Sequence, residues 1–306
     1  MRGSNAANML KIVRFHIVAG GVLAFSLGGL LALANGGSFK PLLFASAYVV
    51  MLLGDLSSHY SNDYFDVEVD KHVAQKKFFA GRAILVNHPD LRALSKSVSV
   101  SLLVCANVLA VAIFLFLGAP LEIFIVILAA SLVGWFYSAP PLRLTSRGLG
   151  EAAIASVTGF AIPSLGYLAV RGQFDTLVVY LAVPFVMYGL MLSLSLEAPD
   201  EEIDRKGGKR NLIVRKGPRN VFLLILALTA ASTLTFIVYS WLLTPTVLNI
   251  GVLAIFSIAP LTAALAGFIG VTRKKSVNRF SAVNIGSLFV FNMFTVVYLL
   301  ALMFAA

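Results

Sequence analysis

Cysteine is nearly missing from this chain. Cys105 stands alone among 306 residues, which excludes an internal disulfide and any cysteine-based metal site. Charge is scarce as well: Asp, Glu, Lys and Arg make up 12% of the residues, about half the roughly 25% of a soluble domain. A mean hydropathy of +0.90 points the same way, and no soluble domain fits anywhere along the chain. There is no Walker-type glycine-rich loop, so ATP chemistry has no support.

What the chain has in quantity is apolar length. A helix needs about 20 mostly apolar residues to cross a bilayer. By that measure nine spans are expected, near 12–34, 41–62, 97–117, 120–138, 150–170, 176–196, 220–240, 245–269 and 281–304. The breaks between them carry helix stops such as Gly36-Gly37, Gly118-Ala119-Pro120, Pro140-Pro141 and Gly217-Pro218. The expected fold is therefore all-α, a single polytopic membrane domain over residues 1–306. Ala32-Leu33-Ala34 resembles a signal-peptide cleavage site, but the apolar stretch before it exceeds the usual 7–15 residues and reads as the first span.

The basic residues are sorted by face. With nine spans, 22 of the 24 Lys and Arg fall on one side, leaving Lys40 and Arg171 on the other. The positive-inside rule places the larger set in the cytoplasm together with the N-terminus, and the C-terminus outside, in a prokaryotic plasma membrane. The net charge of +10 then implies anionic headgroups or an anionic substrate at that face, and not nucleic acid.

Acid is rarer than base and far more concentrated. The 14 Asp and Glu include Asp63, Asp66, Glu68 and Asp70 in one segment and Asp200, Glu201, Glu202 and Asp204 in another. Carboxylates in so apolar a chain are costly unless they face water, a cation or each other. Asp55, His59, Asn62, Asp66 and Asp70 fall on one slowly drifting helical stripe, and Asp200 and Asp204 repeat the spacing with Glu197 a turn earlier. Both segments leave even-numbered spans on the same side. Each opens a four-span block, 2–5 and 6–9, as an ancient duplication would. Oxygen ligands in pairs suit Mg2+, which binds through one or two carboxylates plus substrate phosphates. Arg143, Arg147, Arg205, Lys209 and Arg210 share this face and could meet the charge of a departing diphosphate. The spans would give a hydrocarbon tail a dry groove.

At this point the residues resemble the UbiA-type intramembrane prenyltransferases. That family carries N-D-x-x-D-x-x-x-D after the second of nine helices and D-x-x-x-D after the sixth. Here these stand as Asn62, Asp63, Asp66 and Asp70, and as Asp200 and Asp204. Arg205-Lys206-Gly207-Gly208-Lys209-Arg210-Asn211 is similar to the Gly-Lys-Arg run that follows the second motif. Trp135-Phe136-Tyr137-Ser138-Ala139-Pro140-Pro141-Leu142-Arg143 resembles the element that ends helix 4. The resemblance implies a Mg2+-dependent enzyme that transfers a prenyl group from a prenyl diphosphate. Asn62, Asp66, Asp70, Asp200 and Asp204 would hold metal and diphosphate, with Asp63, Tyr137, Ser138, Arg143, Arg147 and Lys209 at the substrate. The loop Lys76-Lys77-Phe78-Phe79-Ala80-Gly81-Arg82-Ala83-Ile84-Leu85 is similar to that of the menaquinone-type branch, as is Glu197-Ala198-Pro199. This favours an aromatic quinone precursor as acceptor, with a glycerol phosphate ether lipid as the alternative.

Asp55 and His59 lie deeper, Asp55 being about 10 Å below Asn62 at the helical rise. A carboxyl at that depth should face a cavity or a partner. The pair reads either as an acceptor site or as a buried polar contact that fixes helix packing. His16, His72 and His88 have no matching spacing. A secondary transporter would carry its carboxylates near the midplane on broken helices, whereas these clusters sit at helix ends. A non-catalytic scaffold leaves the paired stripes unexplained.

Overall fold

The computed structural model describes residues 2–72, 83–242 and 248–305. Among them every regular element is helical, and nine helices are long and apolar enough to span a bilayer. They are α1 (Phe15–Ala34), α2 (Pro41–Phe65), α3 (Pro89–Leu117), α4 (Leu121–Ser138), α5 (Gly150–Arg171), α6 (Thr176–Lys206), α7 (Leu212–Leu242), α8 (Ile250–Thr272) and α9 (Val277–Phe304). Number and order match the expected spans, and the ends differ for physical reasons. The first turns of α3 are polar but buried against α2, where Ser95 Oγ donates to the Tyr60 carbonyl (3.0 Å) and Ser57 and Ser99 exchange hydrogen bonds. Within α7, Gly217 takes φ +74 and Pro218 restarts the helix, so the apolar span begins only there. A short helix, Arg2–Ile12, precedes α1 and buries Met9 and Ile12 in a cluster with Tyr60, Leu85 and Leu91.

Packing follows the two blocks. In the first, α2 lies against α3, α4 and α5; in the second, α6 lies against α7 and α9, and α8 joins α7 to α9. Each block has its own apolar core. Val50, Ala106, Ile123 and Leu165 belong to one, and Tyr188, Phe222, Phe236 and Phe291 to the other. The blocks meet where α5 packs on α6. α1 belongs to neither block and touches both, giving Phe25 to the first core and Leu27 and Leu31 to the second.

α1 approaches α5 almost backbone to backbone. A Cβ on Gly28 would lie 1.8 Å from the Pro163 carbonyl oxygen, and one on Gly166 would lie 2.0 Å from that of Phe25. Small residues permit such contact in membranes, where apolar surface alone does not drive helices together. Just before Pro163, α5 widens into a π turn at Val157–Ala161, a feature frequent at functional sites. At the end opposite the acidic segments, Asp175 caps α6 through the amides of Leu177 and Val178 and accepts from Asn35, Tyr167 and Arg171. One half-buried carboxylate thus ties the α1–α2 connection to α5 and α6.

Candidate active site

Both acidic segments break their helices at the same point. α2 ends at Phe65, Asp66 takes φ −91 and ψ 6, and one further turn runs Val67–Asp70. In α6 a 3-10 turn at Ala198–Asp200 replaces the α pattern beside Pro199, Asp200 takes φ −100 and ψ 10, and the helix resumes at Glu201–Lys206. This bridge region of backbone space is sparsely populated and common among active-site residues. The stripe read from sequence as one continuous helix is therefore bent at Asp66, although the Asp70 amide still donates to the Asp66 carbonyl at 2.9 Å. The two bent ends touch: a Cβ on Gly207 would lie 2.8 Å from Val69.

A lysine joins the segments. Lys209 Nζ lies 3.0 Å from Asp66 Oδ2 and 3.3 Å from Asp204 Oδ1, all three side chains being nearly buried. Asn211 Nδ2 holds the other Asp204 oxygen at 2.7 Å. Burial opposes the charge on Lys209, but the two carboxylates outweigh it and hold the ammonium above its ordinary pKa. Among the described residues Asp70 has no such ion pair. Burial, then the charges of Asp63 and Asp66, push its carboxyl up to about 7.

The remaining predicted residues divide into those that face the cavity between the blocks and those that do not. The cavity encloses about 400 Å³, and Asn62, Asp66, Asp70, Tyr137, Asp200, Asp204 and Lys209 line its polar end. Tyr137 and Thr145 both pack beside Gly150. Asp63 points elsewhere, into a buried ion pair with Arg14 at 2.8 Å. Ser138 is buried behind Asn62. The Asn62 amide satisfies both its ends when its nitrogen donates to Ser138 Oγ (2.6 Å) and Asp66 Oδ2 (3.3 Å) and its oxygen accepts from Arg14 Nη1 (3.1 Å). Asp63 and Ser138 thus hold Arg14 and Asn62 and do not themselves line the cavity. Arg143 and Arg147 are exposed and do not line the cavity. Lys76, Lys77 and Arg82 lie outside the described residues.

Asp55 and His59 line the cavity farther in, with His59 Nε2 3.7 Å from Asp55 Oδ1. Among the described residues neither His59 Nε2 nor Asp55 Oδ2 has a hydrogen-bond partner, though both atoms are buried. Beyond them the walls are mostly apolar, with Leu27, Val50 and Leu165 toward the far end and Tyr188 and Asn292 as polar exceptions.

Three contributors lie outside the expected set of site residues. Arg14 reads in the sequence only as one more cation on the basic face. Glu197 lines the cavity with its carboxyl against that of Glu151. Glu151, buried at the start of α5, accepts from the Leu212 amide just after Lys209 and Asn211. An isolated Glu at a helix start carries no motif, and only the fold shows that it anchors the lysine loop.

Among the described residues no three Asp, Glu, His or Cys side chains form a ready-made metal cage. The expected five-ligand set of Asn62, Asp66, Asp70, Asp200 and Asp204 is not gathered, because Lys209 holds Asp66 and Asp204 while Asn62 is engaged by Arg14 and Ser138. The donors nevertheless suit Mg2+, which needs one or two carboxylates with the rest from water and phosphate. An ammonium already occupies the position between Asp66 and Asp204 where a cation is required.

Known proteins share this architecture. A solved UbiA homolog from Archaeoglobus fulgidus, bound to DMAPP and Mg2+, superposes with a TM-score of 0.73 at 17% identity, covering 98% of this chain and 100% of that one. A digeranylgeranylglyceryl phosphate synthase gives 0.61 at 16% identity, covering 96% of this chain and 98% of that one. A UbiA homolog from Aeropyrum pernix K1 gives 0.66 at 12%, covering 91% and 96%. In sequence, the protoheme IX farnesyltransferase of Enterobacter sp. (strain 638) is 29% identical over 190 residues, which span 61% of this chain and 59% of that enzyme. A sequence model of the UbiA prenyltransferase family matches residues 22–296, from within α1 to within α9 and across both acidic segments. With nine apolar helices and that match over most of its length, this integral membrane protein belongs to the UbiA prenyltransferase family.

Proposed function

We propose that the chain transfers a prenyl group from a prenyl diphosphate to an aromatic quinone precursor, in a Mg2+-dependent reaction within the membrane. The observation that carries this reading is the convergence of Asp66 and Asp204 on Lys209, at the polar end of a cavity whose interior is mostly apolar. A diphosphate headgroup and a hydrocarbon tail need that polarity in that order. Asp66, Asp70, Asp200 and Asp204, with Asn62, would hold Mg2+, whose charge when bound offsets that of the diphosphate. Lys209 would then turn from its two carboxylates to the phosphate oxygens. The allylic C–O bond breaks with its electron pair leaving on diphosphate. A ring carbon of the acceptor forms the new C–C bond, and the proton it carried is lost to a base. The apolar wall excludes water that would otherwise trap the allylic cation as an alcohol.

Two features favour a ring over a glycerol phosphate. Asp55 and His59 put hydrogen-bonding atoms inside the cavity, about 10 Å from the Asn62 level, where a phenol could be read. A second phosphate would need free cations there; Arg143 and Arg147 are outside, and Arg14, which lines the cavity, is already paired with Asp63. The glycerol phosphate reading draws on the likeness to digeranylgeranylglyceryl phosphate synthase, which is one of fold alone.

The test is to incubate the purified chain with labelled geranylgeranyl diphosphate and a set of hydroxylated rings and glycerol phosphate ethers. Ring alkylation that stops in EDTA and returns with Mg2+ is expected, and Asp66→Ala or Asp200→Ala should lower it by about 100-fold or more. Full turnover in EDTA would sink the mechanism. Asp55→Asn should depress ring alkylation by about 100-fold while leaving diphosphate binding nearly unchanged.

A further inference from the structure

We infer that Gly21, Gly54 and Gly134 hold open a recess beside Asp55 and His59, and that this recess sets the size of the ring the enzyme accepts. The inference rests on the aromatic-acceptor reading above and adds the residues that select among rings.

The glycines of this chain fall into two groups. Gly28 and Gly166 are required by packing, since any side chain there would strike backbone at about 2 Å. Gly21, Gly54 and Gly134 are not. A Cβ on Gly54 would meet nothing within 4 Å. On Gly134 it would meet only Ser58 Cβ, at 3.9 Å, and on Gly21 the Met51 sulfur, Asp55 Oδ2 and Ile162 at 3.7 to 3.9 Å. All of these are ordinary contacts, and none of the three has a positive φ. All three lie inside helices, where glycine weakens the helix relative to alanine. Their helices α1, α2 and α4 approach the cavity from different sides, and all three residues line it. Neither sterics nor backbone conformation calls for glycine at these positions, and what remains is the empty volume itself.

The second observation points to what fills it. Asp55 Oδ2, which a Cβ on Gly21 would approach to 3.8 Å, has no hydrogen-bond partner among the described residues, nor has Nε2 of His59, which is 3% exposed. Buried polar atoms left this way are costly unless a ligand completes them. A flat ring bearing hydroxyl groups would fill the volume and offer donors to a carboxylate and an imidazole. An acyclic phosphate would bring a second anion toward Asp55. Pockets that select by volume do so steeply when a wall atom is added.

The experiment uses the full chain in detergent with two probes, 4-hydroxybenzoate for one ring and 1,4-dihydroxynaphthalene for two. Affinity for each ring is measured by calorimetry, separately from binding of labelled geranylgeranyl diphosphate and from thermal unfolding. Gly54→Val should weaken ring binding at least tenfold and shift diphosphate binding less than twofold. Gly54→Ala should penalise the larger ring more than the smaller without lowering the unfolding temperature, and it carries the test should the valine variant fail to fold. Unchanged ring affinity in these variants overturns the recess while leaving the acceptor class standing. Equal loss of diphosphate binding also overturns it, since Gly54 would then border the tail. A wild-type chain that binds and alkylates neither ring overturns the acceptor class, and the recess with it.

Discussion

With its ammonium 3.0 Å from Asp66 and 3.3 Å from Asp204, Lys209 bridges a pair of carboxylates that would otherwise repel across the cavity mouth. Removing one partner of a buried ion pair typically costs 3–5 kcal/mol, because the other charge is stranded. Lys209→Met should therefore lower the stability of the metal-free protein by about 3 kcal/mol. Added Mg2+ should raise the unfolding temperature more in the variant than in the wild type; equal shifts would mean the lysine is not acting as a stand-in cation. Asp70 gives a pH dependence. Its carboxyl is raised to about 7 in the metal-free fold, above its ordinary 3.8, so its ionisation costs stability progressively as pH rises from about 4 to 7. A metal ligand must be deprotonated, which reverses the sign for binding. Mg2+ affinity should rise about tenfold between pH 6 and pH 8 through this one proton, and a flat calorimetric profile would remove Asp70 from the ligand set. That Asp66, Asp70, Asp200 and Asp204 would line one cavity was legible in sequence because acid is so rare in this chain that its spacing stands out. Arg14, Glu151 and the inward turn of Asp63 were not, since each depends on which neighbour the fold supplies.

At the scale of the element, sequence located the helices well and their interruptions poorly. Twenty apolar residues in a row can be counted, but a π turn at Val157–Ala161 or the bend at Asp66 costs only a hydrogen bond or two and leaves no compositional trace. Glycine was equally ambiguous, since the letter is the same whether a neighbouring backbone or a ligand claims the space. The α1–α5 contact separates the two cases. Gly166→Ala places a methyl 2.0 Å from the Phe25 carbonyl oxygen and should cost about 1–3 kcal/mol through forced separation of the helices. Thermal unfolding in detergent would show it, and a neutral result would mean that α1 shifts freely along α5.

For the whole molecule, the nine spans found among the described residues and the crowding of cations onto the acidic face lead us to propose that residues 2 and 305 lie on opposite sides of the bilayer, with the acidic face in the cytoplasm. A tag after residue 306 should be shielded from cytoplasmic reagents while one inserted between Gly207 and Gly208 is reached; labelling of both from the cytoplasm would refute this topology. The even split into blocks was readable from the repeated acidic segments. The place of α1 was not, because an apolar helix carries no address for its neighbours. That place has a consequence for synthesis. Of these nine spans α1 is made before the others, yet its partners α5 and α9 lie far downstream. Through most of translation α1 faces lipid where it will later face protein, with Gly28 uncovered until Pro163 arrives. The first block can assemble on the ribosome around it, but the barrel of helices closes only when the final span leaves the translocon. The first helix in is thus among the last to be fully housed.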